Sequence, residues 1–226
     1  MNLGGFLSND SMFGRLMTRI GTLAILNILF VISCILVITI GQALSALYGS
    51  IFEMLEEEES DRLYQTGGTI HPLKVYWKYF KKHFLRDTAC FIAFAGIMLL
   101  GSMNLQICMS WQEFMRNLSS VIIAVMLFAW VLFIFLFPLL AREEGKVKDL
   151  CVLALAEAVS SPVRTLSCLI LYTVPMALIL LDQANKPLYA FIFCFMGFAL
   201  IARICGVMMH TSLDKVKGLR KKGEKA

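Results

Sequence analysis

Three ionisable residues stand inside or at the margins of long apolar stretches: Glu157, Asp182 and Arg203. A charge held at membrane depth is costly, and where it persists it marks an ion or proton path. The sequence assigns each a plainer place. Glu157 falls at an interface and Asp182 at the outer end of a span. Arg203 lies near enough to a span end for its long stem to carry the guanidinium into water. Four neutral polar residues, Thr39, Gln42, Asn104 and Gln106, are the groups that would line a water-filled cavity if the chain moved a solute. Enzyme chemistry finds less support. There is no nucleophile–base grouping, no glycine-rich phosphate loop and no H-E-x-x-H. His71, His83 and His210 are far apart. The seven cysteines, Cys34, Cys90, Cys108, Cys151, Cys168, Cys194 and Cys205, include no C-x-x-C and most fall in apolar runs, where a thiol behaves as a small hydrophobe. No catalytic residue, metal or cofactor is expected.

The elements that position these residues are helices in a bilayer. The 226 residues are 58% hydrophobic with mean hydropathy +0.74, and 16% are charged, against about 25% in a soluble domain. The charges cluster at 53–87, 142–149 and 214–225. Alternating ten-residue strands of a barrel are missing. The expected fold class is all-α, a polytopic membrane protein with about five transmembrane helices and cytoplasmic interfacial amphipathic helices. One membrane domain covers 1–210, and 211–226 is a basic cytoplasmic tail. The spans are about 20–41, 88–110, 117–140, 164–181 and 187–208. Some 20 apolar residues precede the small-residue patch Ala43–Ala46, longer than the roughly 7–15 of a signal-peptide core, so the first span reads as an uncleaved anchor.

Positive charge sets the orientation. With five spans, the segments 53–87 and 142–164 and the chain from Arg203 onward share one side with 17 Lys and Arg, leaving Arg15, Arg19, Arg116 and Lys186 on the other. This places the C-terminus in the cytoplasm and the N-terminus outside. Arg15 and Arg19 sit awkwardly in that scheme. A hairpin over 20–52 would return the N-terminus to the cytoplasm. Its 33 residues fall short of the roughly 40 that two crossings need, and a single crossing is expected.

Between the first two spans the chain changes character. Glu53 to Asp61 carries six acidic residues, read as a solvated helix end. Gln65–Thr69 is a flexible loop. Then H-P-L-K-V-Y-W-K-Y-F-K-K-H-F places Leu73, Trp77, Phe80 and Phe84 on one helical face and Lys74, Lys78, Lys81 and Lys82 mostly away from it. A basic aromatic helix of this kind lies in the headgroup plane, where each lysine gains about 1 kcal/mol from anionic lipid. The same residue types could meet nucleic acid, but beside a span the partner is the bilayer. Segment 143–163 repeats the pattern faintly before Pro162, so each later pair of spans follows a cytoplasmic interfacial helix.

The stretch V-I-T-I-G-Q-A-L-S-A-L-Y-G at 37–49 is the most specific. Gly41, Ser45 and Gly49 at i, i+4 and i+8 make a small-residue face that lets helices approach closely. Thr39 can cap a helix restarting near residue 40, so 40–52 reads either as a separate helix or as the tilted end of the first span. Thr39 and Gln42 either touch a ligand or cap and bend a helix.

These residues carry a resemblance. V-I-T-I-G-Q-A-L-S-A-L-Y, W-K-Y-F-K-K-H-F and F-P-L-L-A-R, in this order before paired spans, resemble the YesL-like family of small bacterial membrane proteins, a domain of unknown function. The likeness runs over about 12–210. Its best marker is T-I-G-x-A-x-x-A-L-Y, carried by Thr39, Ile40, Gly41, Ala43, Ala46, Leu47 and Tyr48. Leu36 and Gln42 stand where family members often have proline. The resemblance implies a bacterial plasma-membrane accessory of carbohydrate uptake, whose partner would be an ABC-type permease; a small transporter or channel is the alternative.

Overall fold

The computed structural model describes residues 12–64, 71–110, 113–182 and 184–223. The loop Gln65–Thr69 and the side chains of Arg15, Arg62, Arg116 and the basic tail lie outside the described residues. Every described element is helical. Helix α1 is Met12–Cys34, α2 Ile40–Tyr64, α3 Pro72–Lys82, α4 Phe84–Ser110 and α5 Glu113–Arg142. They are followed by α6 Val147–Ser160, α7 Pro162–Leu181, α8 Lys186–Ile192 and α9 Phe198–Gly223. A short 3₁₀ turn, Val37–Thr39, joins α1 to α2, and a π-helical turn, Phe193–Gly197, joins α8 to α9.

Among the described residues six helical segments are long and apolar enough, by length and composition, to cross a membrane: 17–34, 37–60, 84–108, 119–142, 162–179 and 186–210. The additional one is α2. The helix expected over 20–41 ends at Cys34, and α2 is a separate helix: the chain turns and runs back. Arg19 Nε lies 3.4 Å from Glu58 Oε1, which pairs the start of α1 with the far part of α2. Helix α2 is the centre of the fold. Ala43, Ala46, Leu47, Tyr48 and Ile51 are buried, and α2 packs against α1, α3, α4, α5 and α9. Its small side chains are what allow so many helices to reach it.

Helices α4 and α5 form a second antiparallel pair. Phe94 and Phe133 stack at 4.1 Å between ring centroids, and Arg86 Nη2 donates to Leu140 O at 2.6 Å. Their outward faces are aliphatic and exposed, with Ile92, Leu99, Leu100, Val121, Val125 and Phe128 among them, as a lipid-facing surface must be. Pro138 lies one turn before the end of α5 and Pro175 lies inside α7.

Helix α9 runs antiparallel to α1. Phe30 meets Phe198 with centroids 5.2 Å apart, while Arg203 Nη2 donates to the same Glu58 carboxylate that Arg19 approaches, at 2.8 Å and 3.1 Å. Arg19 and Arg203 therefore occupy one end of the molecule.

Candidate functional site

Each part of the 37–49 stretch has a defined job. Thr39 Oγ1 faces backward rather than capping the next helix: its one proton lies between Ser33 O at 2.5 Å and Leu36 O at 2.7 Å. Those carbonyls are left over where α1 ends and the turn begins. Gln42 is wholly buried, and its Nε2 donates to Phe80 O and Tyr79 O. These carbonyls belong to the last turn of α3, which ends at Lys82, so Gln42 caps another helix from across the fold. Gly41 backs onto Asp87 and Phe91, and Gly49 onto the Tyr79 ring. The small-residue face is thus occupied by α3 and α4 of the same chain.

Asp87 sits beneath this junction, 2% exposed, with Arg86 Nε donating to its Oδ1 at 2.9 Å and Ser45 facing it from α2. His83, at the corner between α3 and α4, is held below the ordinary histidine range by partial burial first and the Arg86 charge second, with Lys82 adding to them and Asp87 and Glu144 opposing. A histidine so placed stays neutral at pH 7. The unfolded chain takes up the proton first as pH falls through about 6.5, so the folded state loses stability on the acid side of that value. We expect His83→Gln to flatten the fall in melting temperature between pH 7.5 and 5.5, measured on detergent-solubilised protein; an unchanged slope would count against it.

The amphipathic helix α3 has three faces, not two. Val75 and Tyr76 are buried against the fold and Tyr79 packs on Gly49. Leu73, Trp77 and Phe84 are exposed, and Phe80 is half-buried, packed edge-on to Trp77 with centroids 5.1 Å apart. Lys78 pairs with Glu53 at 2.9 Å and Lys82 with Glu144 at 2.6 Å, while Lys74 and Lys81 are exposed.

The acidic run is not merely a solvated helix end. Glu53 meets Lys78 of α3, Glu56 lies 3.6 Å from Arg142 of α5, and Glu58 takes Arg19 of α1 and Arg203 of α9. One helix end thus supplies the counter-charges for four others. Exposed pairs of this sort contribute about 0–1 kcal/mol each. Glu58 is the exception because it separates two arginines. Glu58→Gln is expected to lower the melting temperature more than Glu53→Gln, with the gap narrowing in 1 M salt; equal effects would sink this ranking.

Glu157 is buried at 2%, and Arg164 Nη1 donates to its Oε1 at 2.7 Å at the corner between α6 and α7. Asp182 lies in the turn between α7 and α8, where hydrogen bonds from Asn185 and then Tyr189 hold its carboxyl low. Asn104 donates to Leu100 O of its own helix at 2.8 Å and is exposed, as is Gln106. Thr39 and Gln42 are buried at the junction of α1, α2 and α3, whereas Asn104 and Gln106 are on the exposed face of α4. Among the described residues no three His, Cys, Asp or Glu side chains group as a metal site.

Sequence reasoning passed over Asn27. It is fully buried and bonds to the π-helical turn and to the start of α9 through the two ends of its amide. Nδ2 donates to Phe193 O at 2.9 Å and Cys194 O at 2.7 Å, and Oδ1 accepts from Ala199 N at 2.9 Å. An asparagine in mid-span was the available signal, since such residues bond across helices. A second missed link joins α2 to α7: the hydroxyls of Tyr48 and Tyr172 hydrogen-bond to each other.

A fold built of apolar-faced helices around a buried central helix defines an all-α, multi-pass membrane protein. Residues 23–105, less than half of the chain, match the model of a family described as a protein of unknown function, DUF624. The matched part takes in about half of α1, all of α2 and α3, and most of α4, which are the elements that build the junction. No curated protein and no solved structure matches the chain.

Proposed function

We propose that the protein is a non-enzymatic accessory or scaffold in the bacterial plasma membrane that binds another membrane protein. The YesL-like resemblance points to an ABC-type carbohydrate permease as that partner. One observation supports this over a transporter: the polar groups best suited to handling a solute are engaged by the protein itself. Thr39, Gln42 and Asn27 bond backbone carbonyls of the fold, and Glu58 and Glu157 are neutralised by arginines. Anionic headgroups meet Lys74 and Lys81 on α3, with Trp77 and Leu73 resting in the interface.

Orientation follows from charge. With α1 and α2 as a hairpin, 19 Lys and Arg fall on one side and only Arg116 and Lys186 on the other. The positive-inside rule then places the C-terminus in the cytoplasm and the N-terminus beside it.

Co-purification tests the partner. After mild crosslinking and detergent extraction, a tagged chain is expected to bring down an ABC permease, identified by mass spectrometry. Recovery at background level overturns the accessory reading. Solute flux into proteoliposomes above that of empty vesicles would favour the transporter instead.

A further inference from the structure

The connection between α1 and α2 is unlike a turn built for water. Ile32, Ile35, Leu36, Val37 and Ile38 are 57–75% exposed, and the whole run from Ile20 to Phe52 has no charged residue. A turn in water is made from Gly, Pro, Asn, Asp and Ser. This apex, Ser33-Cys34-Ile35-Leu36-Val37-Ile38-Thr39, is five-sevenths Cys and branched aliphatic.

The uncharged parts of its arms are short, although the helices themselves continue to Met12 and Tyr64. From Ile20 to Cys34 is 15 residues and from Ile40 to Phe52 is 13. At about 1.5 Å per residue these uncharged parts reach roughly 20–22 Å, against about 30 Å for a hydrocarbon core. The charged residues at the open end, Arg19, Glu58 and Arg203, are tied together, which holds both arms to one surface.

Lipid demands that every backbone polar group be satisfied from within. At the apex part of that demand is met by protein groups. Thr39 Oγ1 serves Ser33 O and Leu36 O, Thr39 N donates to Leu36 O at 2.9 Å, and Ile35 N to Ile32 O at 3.3 Å. In water these carbonyls would need no side-chain donor.

We propose that residues 12–64 form a re-entrant hairpin. It enters and leaves on the side of Arg19 and Glu58, and its apex, Ile35–Ile38, ends among acyl chains without reaching the far headgroups. The occupant of the exposed aliphatic tip is lipid. The inference rests on the protein being membrane-embedded and is independent of the accessory reading.

A ketone-bearing amino acid introduced genetically at Val37, carrying a ketoxime spin label, tests this without removing any native cysteine. In proteoliposomes the label should collide readily with oxygen and poorly with a water-soluble nickel chelate. Ready collision with the chelate would place the tip in water and overturn the proposal. Poor collision with both would place it against protein and also overturn it. A second measurement uses the unaltered chain with green fluorescent protein, which matures only in the cytoplasm, fused at either terminus. Both fusions should fluoresce; a dark N-terminal fusion beside a bright C-terminal one overturns the hairpin.

Discussion

Asn27→Leu is expected to lower the unfolding free energy of the solubilised protein by about 3 kcal/mol, at roughly 1 kcal/mol or more for each buried backbone group left unpartnered. Three such groups are at stake, Phe193 O, Cys194 O and Ala199 N. A π-helical turn displaces the backbone ladder by one residue, and Asn27 meets the displaced groups from α1. Leucine is close in volume, so the loss reads hydrogen bonding and not a cavity. Asn27→Asp sharpens the test. An ionised carboxylate can accept from Ala199 N but confronts two carbonyl oxygens. Only its protonated form can donate. Stability of that variant should therefore rise as pH falls, while the leucine variant shows no such gain over wild type. Thermal unfolding followed by size-exclusion fluorescence reads both. A leucine variant that melts with wild type would dispose of the idea.

The second large effect concerns Gly41. A Cβ there would stand 2.5 Å from Phe91 Cβ and 2.6 Å from Asp87 O. Neither obstacle is the flexible end of a side chain. Helix propensity alone favours alanine over glycine by about 0.5–1 kcal/mol, but overpacking costs about 1–3 kcal/mol, and here the second term wins. Gly41→Ala should melt below wild type, and Gly41→Leu should fail to give a monodisperse protein. Gly49→Ala meets the Tyr79 ring instead, so Tyr79→Ala should restore part of its loss, a coupling that no single side-chain truncation can give Gly41→Ala. Gly96→Ala has nothing within 4 Å of its Cβ and should match or exceed wild type. If Gly41→Ala behaved like Gly96→Ala, the close approach of α2 to α4 would be wrong.

Both predictions concern polar or small residues in apolar runs, and they mark where sequence reasoning stopped. Period and hydropathy made α4, α5, α7 and the α8–α9 rod legible, because a bilayer dictates helix length and apolarity locally. The Gly41/Ser45/Gly49 face was legible for the same reason: its spacing is a property of one helix. The partner of that face was not, since nothing within 37–49 says that Tyr79, Asp87 and Phe91 will meet it. The reversal after Cys34 was not legible because the length rule was applied to the uncharged run alone, whereas α2 runs on through the charged stretch to Tyr64. Arg15 and Arg19 already sat awkwardly with a single crossing.

The sequence by itself determined the class: a helical, membrane-embedded chain with its positive charge concentrated beside particular segments and a small-residue face at 41–49. Those are one-dimensional properties, set by residue type and by 3.6-residue periodicity. Only the tertiary structure decided which groups pair. It turned the acidic run Glu53–Glu58 into the counter-charge for Arg19, Lys78, Arg142 and Arg203. It gave Gln42 the end of α3 and Asn27 the π-helical turn. The physical reason is that a buried charge or amide is stable only beside a specific complement. Here that complement lies up to 172 residues away along the chain, beyond the reach of any local pattern.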